Sequence, residues 1–407
     1  MGRIIADLHV HSHYSRATSR EMNIHAMSTW AGKKGINLLG TGDFTHPDYF
    51  RELKSVLKPL GNGLFAAKEE PSAHFMLTAE ISSIYTQGGR GRRVHNLVMA
   101  PGFKAVEKIN RVLGRLGNLK SDGRPILGLS SKDLIKIVLD VSPDCLFVPA
   151  HVWTPWFSLF GSKSGFDSIE ECFGEYAGHI HAIETGLSSD PAMNWRLSAL
   201  DNITLLSNSD AHSPAKLGRE ANVFDCEMDY FDIIDTIRNK DRRRFLYTIE
   251  FFPDEGKYHY DGHRLCNILF SPAETIENNN LCPSCNKPVT VGVMSRVQQL
   301  SDREEGFMPD NAIPAKHMVP LLEIISSAYG KGINTIKVQK EYERLVERHT
   351  EFEFLIDIPP DELYRYTDRR VAEGIIRVRE GRLQILPGYD GVYGKVSIFS
   401  DYKEMRP

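Results

Sequence analysis

Long apolar runs are absent. No stretch of the 407 residues approaches the roughly 18–20 consecutive apolar residues of a membrane-spanning helix. The N-terminus enters an apolar, strand-like segment without the basic-then-apolar pattern of a secretory leader. A cytoplasmic protein with no membrane partner is therefore expected. Cysteine is sparse, at six residues. Cys145, Cys172 and Cys226 stand alone in apolar or strand contexts, which argues against a disulfide framework. Charge of one sign is also lacking. The net charge of −4 is too near neutral to name a polyanionic partner, although GGRGRR (88–93) and KDRRR (240–244) are either phosphate contacts or solvated loops. What remains is a hydrophobic content of 41%, that of a globular chain with one large domain and one or two smaller ones.

Seven short runs, RIIADLHV, INLLGTGD, HFMLTAEI, RVHNLVMA, CLFVPAHV, IHAIETGL and ITLLSNSD, are predicted strands, each closed by Gly, Ser, Pro or a charged residue. Helical spacing lies between them, at Phe103, Val106, Ile109, Leu113 and Leu116, and at Leu134, Ile137, Val138 and Val141. Alternating strand and helix predicts parallel pairing in an α/β fold, a closed or nearly closed barrel, with an open doubly wound sheet as the alternative.

Potential metal ligands recur on these strands. His9 and His11, two apart, share one strand face, and His13 continues the alternation. Asp43, Glu80, His95, His151, Asp210 and His212 follow on later strands. Taken singly, His95 reads as a core histidine. As a set, six of seven strands supply a ligand, and barrels gather such residues at the C-terminal ends of their strands. Imidazole with carboxylate suits Zn, Mn or Fe, with Glu80 able to bridge two ions. Two ions about 3.5–4 Å apart can activate a bridging water and stabilise the oxygens of a phosphate ester. Phosphoester hydrolysis is the expected reaction class, with Asp210 and His212 as the catalytic pair.

A second signature follows. His263, Cys266, Cys282 and Cys285 form H-x2-C, fifteen residues, then C-P-x-C, the spacing of a structural zinc site; His259 competes with His263 for the fourth position. Directly after His151, WTPWFSLFGSKSGFDS offers aromatic planes at Trp153, Trp156, Phe157 and Phe160. The glycine-flanked Ser162, Lys163, Ser164 and Gly165 come next, suited to a phosphate or a base edge. Such a loop fits an extruded nucleotide, or else a packed lid. The last hundred or so residues carry helical spacing at Val338, Tyr342, Leu345 and Val346. A short hairpin or extended segment follows at 387–399, and Arg369, Arg370, Arg377 and Arg379 face either phosphates or solvent.

In this order DLHVHSHYS, TGDFTHP, TAEIS, VHNLV, PAHVWTPW and NSDAH resemble the motifs of the PHP superfamily of metallo-hydrolases, over roughly residues 1–250. Within it, TGDFTHP, HVWTPWFSLFGSKSGFDS and KYHYDGHRLC, followed by a cysteine pair, are similar to the endonuclease Q family. The resemblance implies a distorted (β/α)7 PHP barrel over 1–250; the spacings above place a zinc-binding module over 251–300 and a mainly helical accessory domain over 301–407. It carries the ligand roles to His9, His11, Glu80 as the bridge, His95, His151, Asp210 and His212, with Asp43 standing where a histidine is usual. It implies a DNA repair endonuclease that nicks 5′ of deaminated bases (uracil, hypoxanthine, xanthine) and abasic sites, leaving 3′-hydroxyl and 5′-phosphate. Mg2+ or Mn2+ would serve turnover, and Zn2+ would fill the structural site and occupy the barrel site as well. The partners expected are damaged double- or single-stranded DNA and a DNA sliding clamp. A small-molecule phosphoesterase of the histidinol-phosphatase kind is the alternative, and a binding module with purely structural metals a third.

Overall fold

All seven apolar runs are strands, most of them buried on both faces as their near-continuous hydrophobicity requires. The computed structural model describes residues 2–69 and 72–399. The strands are β1 (Ile4–Asp7), β2 (Leu38–Gly40), β3 (His74–Gln87), β4 (Arg90–Ala100), β5 (Leu146–Pro149), β6 (Ala182–Glu184) and β7 (Thr204–Leu206). The main sheet, to which β1–β5 belong, also holds β8 (Ala221–Phe224), β9 (Phe245–Glu250), β10 (Ala315–His317) and the short strands Leu57–Pro59, Phe65–Ala67 and Ile126–Leu127. The helical spacings form α2 (Phe103–Leu113) and α3 (Ser131–Val141), preceded in the chain by α1 (Ile24–Lys34). Val106, Ile109 and Leu113 are buried on α2, and Leu134 and Val138 on α3, whereas Leu116 falls outside the helix and is exposed. No helix among the described residues is long and apolar enough to cross a membrane.

Pairing differs from the parallel expectation. β1–β2, β2–β3 and β6–β7 are parallel. β3 and β4, however, form a long antiparallel hairpin from Leu77↔Ala100 to Gln87↔Arg90. The cause is Gly88-Gly89, both at positive φ (60° and 74°), the two-residue turn whose twist matches that of the flanking strands. GGRGRR is thus a hairpin tip and its return strand. Its Arg92 is buried, stacked on the Phe166 ring at 4.0 Å and bonded to Glu171 at 2.8 Å. β5 adds antiparallel to β4, and β8 and β9 add antiparallel beyond β1. The β6–β7 pair has no ladder to the main sheet. Single bonds hold it there: Val152 N–H to the Glu184 carbonyl at 3.0 Å beside β5, and Leu8 N–H to Asn208 Oδ1 at 2.8 Å beside β1.

The C-terminal part is helical, with α4 (Leu321–Tyr329), α5 (Ile336–Val346), α6 (Pro360–Tyr366), α7 (Arg369–Arg379) and a hairpin pairing Gln384–Leu386 with Lys395–Ser397. It is joined to the sheet in two ways. β10 pairs parallel with β9, and one apolar cluster runs from Ile5 and Phe75 to Ile324, Tyr342 and Ile375. Arg379 donates to the carbonyls of Leu355 and Ile358 and Arg370 covers the Phe399 ring, so these arginines are spent inside the unit. At the seam, the buried Lys34 of α1 lies 3.0 Å from Glu351, which also accepts from Tyr342 Oη (2.8 Å) and Leu321 N–H (3.0 Å). Glu351→Ala would strand a buried ammonium and two donors. A loss of about 3–5 kcal/mol in urea unfolding is expected.

Candidate metal centre

β1 delivers His9 and His11 past its end, on the one face that alternation allows. Asp210 follows β7, and the adjacent Ala211 bridges to Val10. Glu80 lies inside β3. His95, on β4, stands opposite Ser82, diagonal to Glu80 on the same face of the hairpin, and His151 follows β5. The ligand atoms of His9, His11, Glu80 and Asp210 lie within 4.8 Å of one another, and so do those of Glu80, His95 and His151. Glu80 belongs to both groups through different oxygens. Oε2 faces His11 Nε2 (3.2 Å) and His9 Nε2 (3.6 Å); Oε1 faces His95 Nδ1 (2.6 Å) and His151 Nε2 (3.0 Å).

The donor set fits a cation on a direct test. The Nδ1 of His9 lies 3.0 Å from both Glu184 oxygens and that of His11 3.1 Å from Asp43, so each Nδ1 carries the proton. Each Nε2 then presents a lone pair. His9 Nε2, His11 Nε2 and Asp210 Oδ1 are all buried without a hydrogen-bond partner, although His11 Nε2 and Asp210 Oδ1 stand only 3.0 Å apart. Acceptors facing acceptors are unfavourable unless a cation lies between them. Burial disfavours charge on His9 and His11, yet Glu184 and Glu80 around the first and Asp43 and Asp210 around the second hold both well above the ordinary histidine range. The site attracts positive charge. His95, by contrast, is pushed down by burial to about 4 and stays neutral.

The backbone is strained at three exits from the sheet. Asp43, His151 and Asp210 adopt φ of 50°, 32° and 47°, a conformation costing side-chain-bearing residues roughly 1–3 kcal/mol each. Gly186, at φ 60°, lets the chain pass where a Cβ would sit 2.5 Å from the His151 side chain.

Several expected site residues stand elsewhere. Asp43 is not in either ligand group; its Oδ1 backs His11 and its Oδ2 accepts from Ser12 N–H (2.6 Å), Ser12 Oγ (2.6 Å) and Ser15 Oγ (2.9 Å). His212 is outside both groups too. Its Nδ1 donates to the Asp210 carbonyl (2.8 Å) and its ring lies 4.6 Å from that of His11, at the rim. His13 turns away to the Met22 carbonyl. Trp153 is buried, its indole N–H bonded to Asn194 Oδ1 at 2.8 Å and its ring packed on Phe160, so it offers no stacking plane. Ser164 and Gly165 are buried in the folded loop, while Ser162 and Lys163 form its exposed tip.

Two residues at the centre were missed. Glu184 ends the sixth strand, the one run read without a ligand, in the same strand-end position as the others; it also accepts from His151 N–H (2.9 Å) and Asn208 Nδ2 (2.9 Å). Arg124, in a loop with no motif to mark it, lies 3.0 Å from Glu80 Oε2.

A cleft of about 970 Å3 opens from Asp210 and His212 between Trp156, Tyr258, Lys257 and Tyr393. Trp156 is 39% exposed, edge-on to Tyr258 at 5.8 Å. Beyond it, ligand atoms of His263, Cys266, Cys282 and Cys285 lie within 4.8 Å of one another. His259 is outside this group, buried beside Asp254. Burial opposes ionisation of Cys282, but the amide N–H groups of Ser284 and Cys285 bring its thiol down to about 6, the thiolate a metal needs. Burial instead pushes Cys145 and Cys172 up to about 12, as inert core thiols.

A family model described as the MJ0043 C-terminal domain matches residues 320–382. The chain is 35% identical over 275 residues to the uncharacterized protein MJ0043 of Methanocaldococcus jannaschii. That alignment covers 64% of the chain and 33% of MJ0043, so the chain spans about a third of that relative's length. The uncharacterized protein YqxK of Bacillus subtilis (strain 168) is 30% identical over 414 residues, 97% of the chain and all of YqxK. Among solved structures, the lesion-specific endonuclease PfuEndoQ from Pyrococcus furiosus superposes with a TM-score of 0.87 at 31% identity, covering 100% of this chain and 98% of that one. Endonuclease Q in complex with a 27-mer duplex substrate with an abasic lesion at the active site superposes at 0.85 and 30% identity, covering 100% of both chains. Matched end to end by both, the chain belongs to the endonuclease Q family of DNA endonucleases.

Proposed function

We propose that the chain is a metal-dependent DNA repair endonuclease. It hydrolyses the phosphodiester 5′ of a deaminated base (uracil, hypoxanthine or xanthine) or an abasic site, leaving a 3′-hydroxyl and a 5′-phosphate. The observation that carries this is Glu80, whose two oxygens face two separate groups of imidazole nitrogens. His9, His11, Glu80 and Asp210 would hold one divalent ion and Glu80, His95 and His151 a second, in a distorted (β/α)7 PHP barrel. Mg2+ or Mn2+ bound there would polarise the phosphate and activate water.

The chain's own residues orient and bind. Glu184 and Asp43 fix the tautomers of His9 and His11. Asp210 turns one carboxylate oxygen to His11 while its carbonyl holds His212, whose Nε2 is left for the substrate side. Damaged DNA, double- or single-stranded, is the partner. The aromatic cleft beside the centre suits an extruded lesion, with Trp156 and the Ser162–Lys163 tip as contacts. No feature of the fold argues for a sliding clamp. Zn2+ suits the sulfur-rich His263, Cys266, Cys282 and Cys285 set, as the core of a small module over 251–300.

An end-labelled duplex with one deoxyuridine should be nicked once, 5′ of the uridine, with Mg2+ or Mn2+; the unmodified duplex should stay intact. Asp210→Ala should slow the cut by at least about 100-fold and EDTA should abolish it. No cut, together with hydrolysis of a chromogenic phosphate ester, would turn the site into a small-molecule phosphoesterase. Glu184→Gln weakens the support behind His9, and a 10–100-fold loss of metal affinity or activity is expected in metal titrations. Cys282→Ser should release one equivalent of zinc by elemental analysis and lower the Tm, with the centre's ions retained.

A further inference from the structure

Arg124 is the one guanidinium among the described residues that forms an ion pair with a ligand candidate of the centre, 3.0 Å from Glu80 Oε2. Its side chain is 26% exposed, so it is neither sealed in the core nor free in solvent. A guanidinium carries five N–H donors and stays charged at any working pH. The bond to Glu80 engages Nη1 and leaves the other donors for a second anion.

The loop beneath it is built to hold one position. Asp122 Oδ1 accepts from Arg16 N–H (3.3 Å) and Arg124 N–H (3.2 Å). Gly123 N–H donates to the Tyr14 carbonyl (3.0 Å), and Thr45 Oγ1 donates to the Gly123 carbonyl (3.1 Å). A Cβ on Gly123 would lie 2.4 Å from both Asp43 Oδ2 and Ser15 Oγ, so the loop rests directly on the carboxylate that orients His11. On its far side the chain joins β3, with Ser82 N–H donating to the Pro125 carbonyl (3.0 Å) and Ser82 paired with Ile126. The guanidinium is therefore fixed to the same framework as Glu80 and His11.

Charge makes the same point. Glu80, Asp210, Asp43 and Glu184 carry four negative charges, which two divalent ions would cancel. Arg124 then leaves one positive charge beside Glu80, the complement of a phosphodiester. During hydrolysis the water oxygen bonds to phosphorus and the bond from phosphorus to the 3′ oxygen breaks. The water proton ends on that oxygen, and negative charge gathers on the non-bridging oxygens. A fork of fixed donors is worth most against such charge.

We propose that Arg124 is a catalytic residue that grips a non-bridging oxygen of the scissile phosphate with the donors its bond to Glu80 leaves free. The inference rests on the phosphodiester reading above. The alternative role is a plain counter-ion for Glu80, which would act through metal binding alone.

The test is single-turnover cleavage of the deoxyuridine duplex by the full chain and by Arg124→Ala and Arg124→Lys, with metal content measured in each preparation. The alanine variant should keep its metals and lose at least about 100-fold in rate. Lysine, a point charge without the fork, should restore only part. Added guanidinium should raise the rate of Arg124→Ala at least tenfold and leave Asp210→Ala unchanged. A rate within about threefold of the parent, a loss that disappears at saturating metal, or a loss that guanidinium does not relieve would each overturn the proposal. Failure of the parent chain to cut would instead overturn the endonuclease reading.

Discussion

One buried carboxylate organises the centre. Glu80 is out of solvent, within 2.6–3.6 Å of four imidazole nitrogens and 3.0 Å of a guanidinium. A lone carboxylate in that position would take up a proton to escape desolvation. The charges of Arg124 and His9 and the hydrogen bond of His11 outweigh that tendency and keep Glu80 well below the ordinary carboxyl range, so its charge persists between the two ligand groups. The length of the β3–β4 hairpin follows from this demand. Only an antiparallel partner in register puts His95 diagonally beside Glu80 on one face, and the Gly-Gly turn sets that register.

The strained exits make sense in the same terms. Three side-chain-bearing residues at positive φ persist only because their surroundings overdetermine them. Asp43 is tied by His11, Ser12 and Ser15, the His151 amide by Glu184, and the Asp210 carbonyl by His212 and Arg219. Glu184 does double duty: it orients His9 and holds the backbone of His151, so the two ligand groups share a support as well as a bridge.

The strands and most of the ligand set were legible in the sequence because each rests on a local pattern: an apolar run, an alternation, a polar residue at a strand end. Pairing direction was not, since it turned on two glycines read as part of a basic cluster. Asp43 looked like a ligand because strand ends converge, but one turn of loop separates a residue that faces the mouth from one that faces the back of an imidazole. Trp153 carried an aromatic signal that does not distinguish a stacking plane from a core side chain whose indole N–H has found Asn194. Arg124 had no signal at all, because its place depends on a loop docking across three strands' worth of chain.

The accessory segments are mechanically continuous with the mouth. The strand Asp261–His263 ends on a ligand of the Cys/His cluster and begins with Asp261, which accepts from Gly292 N–H and Ser295 Oγ at the start of the helix Val293–Leu300. Arg296 of that helix, buried, donates to the carbonyls of Phe160 (2.9 Å) and Phe166 (3.0 Å) and to Asp167 (2.6 Å). Those contacts clamp the loop that carries Trp156 to the cleft and sets Phe157 against His95, ring to ring at 4.8 Å. The Cys/His cluster is thus tied to the helix through Asp261, and the helix holds the loop beside the cleft through one buried arginine.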